Sequence, residues 1–350
     1  MPEDKVLRFF ALRMTSHGES CIVRRRRREF ITLLGGAATL PLTASAQQPA
    51  MPVIGFLSSG SPEPWRGVLA AVRQGLADTG YTEGRNVTIE YRWAEDHYDQ
   101  LPALAAELVQ RRVAVIVAPG SVVAAAAAKA ATTAVPIVFM VGSDPIEAGL
   151  VTSLSHPDSN LSGVAYLNVE VAAKRLDLLR KAVPAATSVA LLVNPANTIE
   201  ADIQTKELQI AARTLDVRLR VLHATDLSGT EEAFATVARD RGGALQLGVD
   251  PLFAHVREVI GMAARHSVPT IYPWREFTAA GGLMSYGAVI LDASRQVGVY
   301  TGRILRGEKT ASLPVQRPTK LGFVINLKTG IALGVTIPPD VLTIADELIE

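Results

Sequence analysis

From Pro52 onward, short apolar runs alternate with amphipathic stretches. Run after run stops at a small cluster of Ser, Gly, Asn, Asp or Pro. Ile137–Val141 shows the unit. Five apolar residues without a polar interruption suit a strand buried on both faces of a parallel sheet. The run ends at Gly142-Ser143-Asp144-Pro145, which is turn chemistry. Asp144, Pro145 and Glu147 then take the N-cap, first and third positions of an expected helix. Strand, tight polar loop and helix N-terminus is the junction beyond the carboxyl ends of strands where open α/β sheets bind ligands.

The alternation predicts strands at 53–58, 87–93, 113–118 and 137–141, with helices at 65–79, 100–112 and 122–132 between them. That order forces a parallel sheet with right-handed crossovers. A further strand at 161–167 closes the series, and the pattern restarts. Strands are expected at 188–194, 218–223, 244–249, 270–272 and 283–286, and helices at 172–182, 203–215, 230–240 and 252–266. The fold class is therefore α/β, with two doubly wound parallel-sheet lobes joined by a hinge. A chain of 350 residues has room for two such units. Lobe 1 is expected at 51–165 and lobe 2 at 166–287. A helix at 295–305 would return the chain to lobe 1 over about 288–318, and a strand at 319–326 would carry about 319–350 back to lobe 2. Aromatic residues make up only 5%, so Ala, Val, Leu and Ile must build the core.

Residues 1–46 read as a leader and are set apart from the fold. Arg24–Arg28 runs into Glu29-Phe30-Ile31, a twin-arginine pattern. A weak apolar stretch follows, and Ala44-Ser45-Ala46 offers a cleavage site. Removing the eight basic and four acidic residues of 1–46 from the chain's 35 and 34 leaves 27 and 30, a net charge of −3. That balance argues against a nucleic-acid partner, which needs a basic surface. The one cysteine, Cys21, also falls in the leader, so disulfide and thiolate chemistry are not expected in the mature chain. The expected product is a soluble, monomeric periplasmic protein.

The strand ends supply the candidate ligand residues: Ser58, Ser59, Gly120, Ser121, Ser143, Asp144, Asn194, Asp250, Trp274, Arg275 and Tyr286. If both sheets turn their carboxyl edges to one crevice, these groups converge. Small hydroxyls and helix N-terminal amides suit a carboxylate, and Arg275 could grip the same group bidentately. Asp144 or Asp250 could hold an ammonium. Trp274 or Tyr286 could cover an apolar or cationic part. Each has an ordinary structural alternative as cap, turn, core residue or salt pair; the set carries more weight than its members. The sequence holds no nucleophile elbow and no dinucleotide fingerprint, and its histidines lack metal spacing. No catalytic residue, cofactor or metal is expected. The rival readings are an exported enzyme with Asp144 or Asp250 as general base, and a sensory module for a membrane receptor.

Several blocks resemble a known family. They are Val53-Ile54-Gly55-Phe56-Leu57, Ser143-Asp144-Pro145 with Ala148-Gly149-Leu150-Val151, Asn160-Leu161-Ser162-Gly163-Val164, Asn194-Pro195, Val324-Ile325-Asn326-Leu327-Lys328-Thr329, and Ala345–Glu350. The Asp-Pro…Ala-Gly-Leu-Val and Asn-Leu-Ser-Gly-Val blocks together are the specific part. The chain is similar to tryptophan-binding-like periplasmic substrate-binding proteins of ABC transporters. The resemblance implies a type I periplasmic-binding-protein-like fold, two lobes closing on a small-molecule ligand, and docking on an ABC permease. It places ligand loops at Ser58-Ser59, Gly120-Ser121, Ser143-Asp144, Asn194 and Asp250. The chain departs from members that take aromatic amino acids at Val249-Asp250-Pro251 and Pro273-Trp274-Arg275, which favours a carboxylate or other anionic group near Arg275.

Overall fold

The computed structural model describes residues 51–350 apart from 158, 159, 241 and 319. The expected leader, with its arginine run and cleavage site, lies outside the described residues. The first sheet is formed by β1 (Val53–Ser58), β2 (Thr88–Trp93), β3 (Val115–Pro119), β4 (Ile137–Val141) and β5 (Leu161–Ala165). All its pairings are parallel, in the order β2-β1-β3-β4-β5. The inner strands β3 and β4 are buried from end to end, as their apolar runs require. Helices α1 (Arg66–Asp78), α2 (Leu101–Gln110) and α3 (Val122–Ala131) cover its two faces.

The second sheet contains β6 (Ser188–Val193), β7 (Arg218–His223), β8 (Gly243–Leu247), β9 (Thr270–Tyr272), β10 (Met284–Ala288), β11 (Leu321–Asn326) and β12 (Glu347–Ile349), in the order β12-β11-β10-β9-β8-β6-β7. It is parallel except where β11 runs antiparallel to β10. The edge strand β7 alternates Arg218, Leu219, Arg220 and Val221, and its charges guard an open edge. Helices α4 (Ala172–Ala182), α5 (Thr198–Thr214), α6 (Leu227–Arg239), α7 (Val256–Arg265) and α8 (Arg275–Ala279) complete the layers.

The long helix α9 (Ile290–Leu305) returns to the first sheet and lies against α1. Glycines permit the approach. A Cβ on Gly75 would fall 1.9 Å from the Arg295 carbonyl oxygen, and one on Gly298 would fall 2.1 Å from that of Val72. The chain then recrosses to form β11, with α10 (Leu327–Ala332), α11 (Pro339–Thr343) and β12 after it.

Two local expectations change. The helix expected after Asp144 is a single turn. The Ala148 amide bonds to the Asp144 carbonyl, and Gly149 at φ +69° ends the turn at once. The helix expected at 252–266 is split into a 3₁₀ turn, Pro251–Ala254, and α7, with His255 between them.

The passages between the sheets are pinned. Asn168 donates to the Pro273 carbonyl at 3.0 Å and accepts from the Ala288 amide at 2.7 Å. Arg175, fully buried on α4, donates to the carbonyls of Asn168 at 2.6 Å and Tyr286 at 3.2 Å. Its hydrogen bonds are to carbonyl dipoles, and burial lowers its pKa to about 9 against the weaker pull of Tyr286, Glu170 and Tyr166.

Candidate functional site

The two sheets repeat one order, β2-β1-β3 and β7-β6-β8. Each has a switch point between two adjacent parallel strands whose crossovers leave in opposite directions, which opens a crevice at their carboxyl ends. In the first sheet the crevice holds Ser58 and Ser59 after β1, and Gly120 and Ser121 after β3. In the second it holds Asn194 after β6 and Asp250 after β8. Across the first switch point Ser59 Oγ donates to Ser121 Oγ at 3.0 Å. Across the second Asn194 Nδ2 donates to Asp250 Oδ1 at 3.0 Å.

Asp250 is the centre of the arrangement. It is buried and accepts from Asn194, from Asn197 Nδ2 at 2.9 Å and from the Leu252 amide at 3.0 Å. Its remaining partner comes from the other lobe. The Tyr98 hydroxyl, in the turn after β2, lies 2.9 Å from each carboxylate oxygen. One carboxylate therefore joins the lobes. Glu200, in the first turn of α5, is also fully buried and accepts from Asn197 at 2.5 Å. The amides of Gly142 and Val122, both in the first lobe, are near enough to lower its pKa, while its Oε1 has no hydrogen-bond partner among the described residues.

The other candidates sort clearly. Ser121 caps α3 by accepting from the Ala124 amide at 3.2 Å. Ser58 accepts from the Gly60 amide at 3.3 Å, while the buried Ser143 hydroxyl has no partner among the described residues. Gly120 sits at φ +95°, and a Cβ there would fall 1.9 Å from the Trp65 ring, so both conformation and packing require glycine. Trp274 is buried. With Trp65, Ala254, Glu276 and Ile290 it lines a cavity of about 80 Å³ between the lobes. Both indole N–H groups lack a partner among the described residues. A larger groove of about 850 Å³ runs along the rim, between Asp96 and Tyr98 on one side and Asp226 and His255 on the other.

Three candidates are not part of this constellation. Asp144 Oδ1 accepts from the amides of Ile146 and Glu147, and Oδ2 pairs with Arg317 at 3.3 Å, so it is a turn cap. Arg275 is half exposed and bound bidentately by Glu347 of β12 at 2.6 and 2.8 Å. The anion contact expected at Arg275 is taken here by Glu347. Tyr286 lies inside β10, two residues before its end. Its ring packs edge-on against Phe323, on the opposite pleat from Ser285.

Sequence reasoning missed Tyr98, Asn197, Glu200 and Trp65. The loop after β2 is a strand carboxyl end like the others, and positive φ at Glu95 and Asp96 marks its tight turn. Asn197 and Glu200 stand three apart at a helix start, the spacing of a capping pair.

Burial raises the pKa of Asp250 to about 6. Its hydrogen bonds to Asn194, Asn197, the Leu252 amide and Tyr98 offset part of the rise. Glu200 is raised to about 8, first by burial and further by the charge of Asp250, against the pull of Asn197 and the two amides. The phenols of Tyr98 and Tyr166 are pushed well above 10, chiefly by burial, so they stay neutral. A raised acid favours the folded form only while protonated. That contribution is full below the ordinary carboxylate range and is lost as pH rises through the shifted values. The melting temperature is therefore expected to fall between about pH 4 and 8. Glu200→Gln should remove the last part of the fall, around pH 8, and leave the part contributed by Asp250 and Glu170, which burial raises to about 6 and about 7. A thermal melt series on both proteins checks this, and parallel curves would refute it.

Comparison with known proteins follows the same lines. The family model described as "ABC transporter substrate binding protein" matches residues 64–349. A tyrosine-binding protein of Clostridioides difficile (strain R20291) is 25% identical over 260 residues, covering 74% of each chain. A conserved domain protein of Vibrio cholerae superposes with a TM-score of 0.77 at 24% identity. An ABC domain in complex with L-Trp from Streptococcus pneumonia superposes with 0.75 at 23%. Each covers 85% of this chain and 99% of the solved one, and both share its fold.

Proposed function

The chain belongs to the ABC transporter substrate binding protein family, and on that premise we propose that it is the exported solute-binding component of an ABC importer. It takes a small, amino-acid-like solute between its lobes. The observation that carries the reading is the buried carboxylate of Asp250, held by Asn194 and Asn197 from one lobe and by Tyr98 from the other. A group bound there touches both lobes at once and so favours the shut state over the open one, which is the requirement for ligand-driven hinge closure. Asp250 with the two Asn side chains offers acceptors to an ammonium. The α3 N-terminus with Ser121 and Ser143 offers donors to a carboxylate. Trp65 and Trp274 supply the apolar wall. The shut lobes are the surface an inner-membrane permease would read, and no helix among the described residues is long and apolar enough to cross a membrane itself.

Binding rather than catalysis is the reading that the family match supports. The test is a panel of amino acids and small carboxylates, L-tyrosine and L-tryptophan included, screened by thermal shift and by mass analysis of the recovered solute. A rise in melting temperature of several degrees with the solute unchanged is expected. Conversion of a stabilising solute to product would overturn the reading.

A further inference from the structure

The switch-point crevice of the first sheet is filled by the protein itself. Open α/β sheets take ligands there, beyond the carboxyl ends of the two strands whose crossovers part, here β1 and β3. Trp65, the residue before α1, spans that place. A Cβ on Gly60, in the loop after β1, would fall 2.5 Å from Trp65 Nε1. One on Gly120, after β3, would fall 1.9 Å from Cη2 at the other end of the indole. The ring therefore lies against the backbone of both loops, across the same gap that the Ser59–Ser121 hydrogen bond crosses. Trp65 is buried in one apolar cluster with Val68 of α1 and Ile290 of α9. Swinging the ring out would return roughly 150–250 Å² of aromatic surface to water, so it acts as a fixed wall.

With the lobes shut, the space left between Trp65 and the second lobe's Trp274 and Ala254 is a cavity of about 80 Å³. Benzene fills an apolar cavity of roughly 150 Å³. A short aliphatic side chain fits the smaller space, whereas a phenol or an indole does not.

We propose that Trp65 sets the size of the solute, and that the solute class is the small aliphatic amino acids rather than the aromatic ones. The inference rests on the interlobe cleft being the solute site, with the ammonium of the solute at Asp250, Asn194 and Asn197 and its side chain against the Trp65 wall. Trp65→Ala removes the wall between Gly60 and Gly120 and opens the first crevice to a ring.

The experiment is isothermal titration of L-alanine, L-valine, L-leucine, L-tyrosine and L-tryptophan into the full chain, Trp65→Ala and Trp65→Leu. The parent should bind its best aliphatic member at least about 10-fold more tightly than either aromatic one, and Trp65→Ala should shift that ratio at least about 10-fold toward the aromatic members. Trp65→Leu keeps more of the core contact and should shift it the same way by less, and it decides the matter should Trp65→Ala not fold. A parent that binds tyrosine or tryptophan as tightly as any aliphatic member would overturn the proposal. So would a ratio that stays within about threefold of the parent's in every variant that folds. An unchanged ratio with binding intact removes this inference alone, whereas binding of no member to any of the proteins removes the solute reading and the inference with it.

Discussion

Asp250→Ala is expected to weaken solute binding by at least about 100-fold, since removing one partner of a buried, hydrogen-bonded charge pair costs about 2–5 kcal/mol or more and each 1.4 kcal/mol is tenfold. The substitution also strands four donors that now converge on the carboxylate, Asn194 Nδ2, Asn197 Nδ2, the Tyr98 hydroxyl and the Leu252 amide. Each buried donor left unpaired costs about 1–3 kcal/mol unless water reaches it. Asp250→Asn separates the two effects. It keeps the shape and much of the bonding but cannot hold an ammonium through charge, so it should melt close to the parent protein and still bind poorly. Isothermal titration with the most stabilising member of the amino-acid panel is the measurement. A dissociation constant for Asp250→Ala within threefold of the parent would remove Asp250 from the site.

The second large effect lies far from the cleft. Gly298→Val should lower the melting temperature by about 5 °C or more, because overpacking a tight contact costs roughly 1–3 kcal/mol and often more against backbone, at about 2 °C per kcal/mol for a chain of this size. The new side chain would meet the Val72 carbonyl oxygen, the Gly75 Cα and the Leu76 amide nitrogen, none of which can turn aside as a side chain would. α9 must then back away from α1 and uncover the sheet between them. Gly75→Val tests the same contact from the other helix, against the Arg295 carbonyl. The two substitutions share one seam, so their effects should not add. Differential scanning calorimetry decides, and a Gly298→Val midpoint within 2 °C of the parent would show that the helices are free to separate.

The alternation of apolar runs and polar junctions carried the architecture: two α/β sheets with loops at their strand ends. The antiparallel strand β11 was visible as an apolar run, Leu321–Asn326, but its direction was not, because direction depends on the partner chosen in space. Within the candidate site, Ser59, Ser121, Asn194 and Asp250 were legible because a strand end fixes their position locally. Trp274 and Arg275 show where that logic stops. They are neighbours on one loop, yet one side chain turns inward and the other to Glu347 of β12, at the edge of the sheet. No local pattern reports that divergence. Tyr286 was misplaced by a strand drawn two residues short. Tyr98 and Glu200 acquire their roles only when one lobe is laid on the other.

The return of α9 to the first sheet bears on how the protein is made. The ribosome emits β1 through β5 long before residue 290, and one face of that sheet then has α1 but lacks α9 over β3, β4 and β5. N-terminal units generally fold first during synthesis, but this one must wait for the far side of its neighbour. Nascent chains stopped near residue 288 should therefore be sticky and protease-sensitive, whereas chains released after Leu305 should have the first lobe's protection in place.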